Sequence, residues 1–144
     1  MSTSSTWLFW ALLSACFAAL TAIFAKVGLR GVDSDYATLL RTLVIICTLA
    51  PFVWLSGKWS SPLSIPPRSF LFIVLSALAT GASWICYFRA LQVGDASRVA
   101  PIDKLSVVLV AILAYLVLGE RPVIRDWVGI LLIGSGVVLL ALRK

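Results

Sequence analysis

Four ionisable side chains lie where hydrocarbon would be expected. In "VAPIDKLSVVLVAILAYLVLGERP", Val99 to Pro122, Asp103 and Lys104 stand side by side in the opening turns of an apolar run, and Arg41 and Arg89 sit inside two other such runs. Charges in these surroundings pair with one another, line a wet path or touch a polar solute. A second group offers different chemistry. Ser76, Thr80, Ser83, Trp84 and Tyr87 recur at helical spacing in "SALATGASWICYF", forming one face of hydroxyls and amphipathic rings. Trp and Tyr prefer membrane interfaces, so Trp84 near the middle of a long apolar run fits a cavity wall better than a lipid face, with plain helix packing as the alternative. Arg89 falls on the side of its helix opposite Thr80, so the charged group and the polar stripe are expected to do different jobs.

Other reactive constellations are missing from the sequence. It has no His, and Cys16, Cys47 and Cys86 stand singly in apolar runs, where they read as small buried hydrophobes rather than metal ligands. There is no nucleophile with a base, no paired carboxylates and no glycine loop for phosphate, so no catalytic residue, metal or cofactor is expected and the chain does not read as an enzyme. The net charge of +6 comes mostly from Lys and Arg at the ends of apolar runs. That placement suits lipid headgroups and topology control, not nucleic acid.

The elements that must position these groups follow from composition. Of 144 residues, 61% are hydrophobic and 12% charged, with a mean hydropathy of +1.05, well beyond a soluble domain's roughly 45 to 50% apolar content. The fold class is therefore all-α, a polytopic integral membrane protein with five transmembrane helices over residues 7–28, 36–56, 69–94, 98–118 and 127–142 in a single domain. The first run lacks a preceding basic segment and is too long for a signal peptide, so it reads as a retained helix. Its Ala11, Ala15 and Ala19 make a small-residue ridge suited to close helix packing. Acids in "LRGVDSD" can cap the second helix, and the short "DAS" turn makes the third and fourth helices an antiparallel hairpin.

At 1.5 Å per residue, Arg41, Arg89, Asp103 and Lys104 all lie roughly 8 to 9 Å inside the same membrane face. Two readings stand for this layer. In one, Arg89 and Asp103 form a fixed pair across the hairpin while Arg41 and Lys104 snorkel to headgroups; in the other, the layer is a gate or a solute contact. Loop charges number four (Lys58, Arg68, Arg121, Arg125) on one side and five (Lys26, Arg30, Arg98, Arg143, Lys144) on the other, and the embedded Arg41, Arg89 and Lys104 tip the count toward an outside N-terminus. The near balance of the loops also suits a chain that inserts both ways.

Over residues 7–142 the chain resembles one five-helix EamA repeat of the drug/metabolite transporter superfamily. The resemblance is carried by "AKVGLRGVDSDYATLLRTLV", "YFRALQVGDASRVAPIDKLSVVLVAILAYLVLGERP" and "DWVGILLIGSGVVLLAL", with the "LGER" turn at Leu118 to Arg121 ahead of an aromatic-Gly helix start. Members typically have ten helices in two inverted repeats around a midplane site that works by alternating access. A single repeat then implies a dimer, most economically an antiparallel homodimer in the cell membrane of a bacterium or archaeon, with membrane lipid and a small-molecule solute as its other partners. The resemblance turns the Thr80, Trp84 and Tyr87 face toward the solute path and gives Gly134 and Gly136 a packing role. Related four-helix exporters depend on a glutamate in their first helix, and no acid occurs between Met1 and Gly31, so proton-coupled cation antiport is not carried over. Three embedded bases against one embedded acid favour an anionic or zwitterionic solute such as an amino acid. Export of small metabolites is the function implied; a non-transporting subunit that steadies another membrane protein is the alternative.

Overall fold

The computed structural model describes residues 3–142, with side chains from Thr6 onward. Arg143 and Lys144, which enter the charge balance, and the first two residues of the polar leader lie outside the described residues. The described chain runs α1 (Thr3–Gly28), α2 (Ser34–Leu55), a 3₁₀ turn (Pro62–Ser64), α3 (Pro67–Val93), α4 (Ala96–Asp103), α5 (Ser106–Leu113), a π turn (Ala114–Leu118) and α6 (Ile124–Ala141). Five stretches are long and apolar enough to cross a membrane, Thr6–Gly28, Ser34–Leu55, Pro67–Val93, Ala96–Leu118 and Ile124–Ala141. The shortest, at 18 residues, spans about 27 Å of the ~30 Å hydrocarbon layer. Helices are what lipid permits, because each backbone N–H and C=O finds its partner within its own segment.

Most large apolar side chains, Leu43, Phe72, Leu78 and Leu131 among them, lie on the outside. In lipid this costs little, since acyl chains solvate them as well as a protein core would. Cys16, Cys47 and Cys86 are also exposed, which corrects the expectation that they are buried. A small apolar side chain is equally at home against lipid, so the buried preference seen in soluble proteins does not transfer. The Ala11, Ala15 and Ala19 ridge is likewise uncovered within the chain.

The chain forms two compact units, residues 24–93 and residues 94–144 together with 1–23. In the first, α2 and α3 are antiparallel and pack near one end, where Leu29, Ser34, Thr38, Phe88 and Leu91 are buried. Asp33 starts α2 by accepting from the backbone N–H groups of Asp35 and Tyr36, each at 3.0 Å, which satisfies two of the donors a helix start leaves orphaned. Gly31 turns the chain just ahead with φ +75°, a conformation that any side chain would disfavour. Thr38 and Thr42 return their hydroxyls to the carbonyls of Ser34 and Thr38, both at 2.8 Å, so neither brings an unmet donor into the apolar contact.

In the second unit, the span from Ala96 to Leu118 is not one uninterrupted α-helix. Around Lys104 the backbone tightens to i→i−3 bonds, from Lys104 N–H to Pro101 O at 2.9 Å and from Leu105 N–H to Ile102 O at 3.0 Å. Pro101, which offers no N–H, lies in the turn whose carbonyls accept these bonds. The span then widens into the π turn and ends at Gly119, whose φ of +68° lets Glu120 N–H reach back to Ala114 O at 3.2 Å. After the loop, Asp126 accepts the Val123 N–H at 3.0 Å and so anchors the start of α6. Both α4 and α5 pack on α6. At Gly134 a Cβ would stand 3.1 Å from Val108 Cγ2, so that glycine permits the close approach; at Gly136 nothing lies within 4 Å, and the packing role implied for it is absent inside the chain.

Candidate functional site

The polar stripe on α3 divides into two parts. Thr80 and Ser83 are exposed, whereas Trp84 and Tyr87 are half-buried. Thr80 donates its hydroxyl to Ser76 O at 2.9 Å, which leaves its oxygen lone pairs as acceptors. Trp84 lies nine residues before the end of α3, about 13 Å along the axis. Tyr87 and Phe88 meet edge to face with ring centroids 6.4 Å apart.

Arg41 joins this stripe. Its guanidinium carbon lies 4.2 Å from the centroid of the Trp84 ring and 5.2 Å from that of Phe88. Arg41 is therefore not separate from the stripe, and of its two readings this contact fits a solute-facing role better than snorkelling. Arg41 is seven residues into α2, about 10 Å deep, and Trp84 on the antiparallel α3 starts deeper still, with its side chain tilted toward the helix N-terminus and thus further inward. With Phe88 only five residues before the end of α3, a cation held over both rings stays at about Arg41's own level along the helix pair. The ring faces attract it electrostatically, and in a desolvated setting such contacts are worth about 2 kcal/mol or more.

Arg89 makes a two-pronged ion pair with Asp35, Nε to Oδ1 at 2.9 Å and Nη2 to Oδ2 at 2.6 Å. Asp35, which the sequence reading assigns to capping, is thus the acid that holds Arg89. The reason lies in the division of labour at the start of α2, where Asp33 alone caps the helix and Asp35, in the first turn, is left to face α3. Asp103 instead contacts its neighbour Lys104, with Nζ to Oδ2 at 3.2 Å. The long lysine stem swings round to it, although adjacent helical positions point about 100° apart. Of the four expected members of the charged layer, then, Arg41 stacks on rings, Arg89 is clamped by an acid from the turn, and Asp103 and Lys104 form a local pair.

Further polar contacts gather beside the Asp35–Arg89 pair. Lys26 Nζ donates to Leu91 O at 2.7 Å and Gln92 Nε2 donates to Val32 O at 3.1 Å. The first ties the end of α3 to the last turn of α1 and the second ties it to the α1–α2 turn, and the ammonium also meets one of the carbonyls a helix C-terminus leaves unpaired. A concavity of about 360 Å³ opens here, lined by Lys26, Leu29, Arg30, Gly31, Leu91 and Gln92. From sequence, Lys26 counts among the loop charges and Asp35 among the caps. The signal that could have assigned Asp35 is the spare acid two residues after a better-placed cap, at the end of the α2–α3 pair that also carries Arg89.

Among the described residues no group of three or more His, Cys, Asp or Glu side chains could hold a metal ion. The structure brings together a guanidinium and the rings of Trp84 and Phe88, with the Thr80 and Ser83 hydroxyls further along the same helix.

The sequence profile of the EamA-like transporter family matches residues 5–142. A curated protein of Sinorhizobium sp., described as an "Uncharacterized transporter in cobO 3'region", is 58% identical over 138 residues, covering 96% of this chain and 98% of that protein. No solved structure matches the chain.

Proposed function

The chain belongs to the EamA-like transporter family, and we propose that this membrane transporter exports small metabolites such as amino acids by alternating access around a midplane cavity that two copies share. The observation that carries the reading is the face formed by Thr80, Ser83, Trp84 and Tyr87 with Arg41 stacked on it. It sets hydrogen-bonding groups and a charge deep in a span that is otherwise hydrocarbon. Such groups are costly in lipid and belong on a path that a polar solute follows.

Sharing between two copies rests on the general architecture of such transporters, which place their site between two repeats. Near-balanced loop charges favour an antiparallel homodimer in the cell membrane of a bacterium or archaeon. Asp103 and Lys104 act on this reading as a gate near one mouth, where the helix is already broken and needs little further change to bend.

Reconstitution into proteoliposomes loaded with a panel of radiolabelled amino acids tests the proposal. Flux is expected from the wild type and should be abolished in Trp84→Ala and Tyr87→Ala, with dimers still seen by crosslinking. No flux for any solute, together with a stoichiometric second membrane protein on mild purification, would replace the transporter with an assembly subunit. A compartment-sensitive reporter fused to the C-terminus should be active on both sides; activity only in the cytoplasm removes the antiparallel arrangement.

A further inference from the structure

We infer that Arg41 is the anchor for a carboxylate group on the transported solute, with Trp84 and Phe88 holding the guanidinium in place for it. The inference rests on the transporter reading and names the chemistry its site recognises.

Three observations carry it. The first is depth. Arg41 lies about 10 Å along a membrane-spanning helix, and its cation rests over Trp84 and Phe88 at 4.2 and 5.2 Å instead of reaching for the interface. The second is pairing. Arg89 pairs with Asp35 and Lys104 with Asp103, so the acid nearest to Arg41 in sequence, Asp35, is already engaged at both oxygens. Arg41 meets two ring faces, and these attract the cation without accepting along the planar edge where five N–H donors project. The third is access. Arg41 and Trp84 are half-buried, so the guanidinium is braced but still reachable.

A charged donor edge within a membrane span calls for an acceptor, and the fork of an arginine matches a carboxylate in two-point, charge-assisted fashion. Stacking reduces the rotamer freedom lost when that bond forms, which is how a long side chain becomes a fixed receptor. The rings beside it would meet an apolar solute body. Asp35, the carboxylate nearest to Arg41 in sequence, is spent on Arg89. The site is therefore built to read the acid end of the solute.

The test is equilibrium binding of L-phenylalanine and L-leucine, each beside its carboxamide, to the purified full-length protein in detergent, with amino-acid flux measured in parallel. The wild type should bind the acids and bind the amides roughly tenfold to hundredfold more weakly, the scale of losing a hydrogen-bonded charge. Arg41→Gln should weaken acid binding by a similar factor while leaving amide binding where it was, and Arg41→Lys should recover part of the loss. A purely structural Arg41 would lower acid and amide binding together. Amides that bind wild-type protein as tightly as the acids overturn the assignment without recourse to any variant. Acid binding unchanged in folded Arg41→Gln overturns it too, while flux by the wild type would leave the transporter reading standing. A wild type that neither binds nor moves any amino acid removes both.

Discussion

The unit from Phe24 to Val93 and the helices that follow it are made of the same kind of apolar helix, yet they are held by different means. In the first, polar side chains reach between elements at one end. Arg89 clamps Asp35, Lys26 meets the Leu91 carbonyl and Gln92 the Val32 carbonyl. In the second, α5 and α6 approach through a glycine seated against Val108, and the Asp103–Lys104 ion pair joins adjacent residues. Where acyl chains compete equally for apolar surface, a pair of helices coheres either through polar bonds that lipid cannot replace or through close backbone approach. The contrast shows both solutions in one chain. The polar end is fixed by direction-specific bonds, whereas α5 and α6 meet through a close approach at a glycine.

The largest effect is expected from breaking the ion pair. Arg89→Leu should lower the melting temperature in detergent further than loss of Lys26 or Gln92 would, because Asp35 loses both of its Arg89 donors at once. The charge exchange, Asp35→Arg with Arg89→Asp, should restore about half of the loss, as coupled neighbours do. If Arg89→Leu melts like wild type, the polar end is not what holds α2 to α3. Next comes Gly134→Leu, which drives a side chain into Val108 and should cost about 1 to 3 kcal/mol. Gly136→Leu, with open space around it, is the matched control. Equal destabilisation by the two would detach the effect from the Val108 contact.

The sequence made the spans legible because an apolar run of some twenty residues has few alternatives in lipid. It also singled out Arg41, Arg89, Asp103, Lys104, Thr80, Ser83, Trp84 and Tyr87 as groups out of place in hydrocarbon. How those groups pair was not legible, because pairing depends on rotation about each helix axis and on side-chain reach. Asp33 and Asp35 are equivalent as acids in a turn, and only the backbone geometry makes one a cap and leaves the other for Arg89. Arg41 has a stem long enough to go outward or inward, and the position of the Trp84 ring decides which. The tightened turn after Asp103 and the π turn at Ala114 to Leu118 left little trace either, since both are changes of backbone bonding within a uniformly apolar stretch, with Pro101 as the one local sign.

Gly119 sharpens the contrast at smaller amplitude. Its φ of +68° closes the π turn, and Gly119→Val should cost about 1 to 2 kcal/mol for holding a β-branched residue in the left-handed region. The loss should appear in urea unfolding as a lower midpoint with an unchanged slope. A midpoint equal to that of wild type would mean that the turn re-forms without a left-handed residue.

The smallest effect belongs to Lys26, and it tests whether the polar end acts bond by bond. Lys26→Met keeps the apolar stem and removes the ammonium from the Leu91 carbonyl, a cation at a helix C-terminus worth about 0.3 to 1 kcal/mol. A change that small hardly moves a melting curve, so hydrogen exchange is the better reading. Amides in the last turn of α3, around Phe88 to Gln92, should exchange several-fold faster, while those near Thr80 stay as they were, because the substitution frays an end and leaves the span intact. Lys26→Arg keeps a donor and should restore most of the protection. Faster exchange along the whole of α3 would show instead that Lys26, the ion pair and the Gln92 contact open as one unit, and the bond-by-bond picture of the polar end would give way to a single cooperative lock.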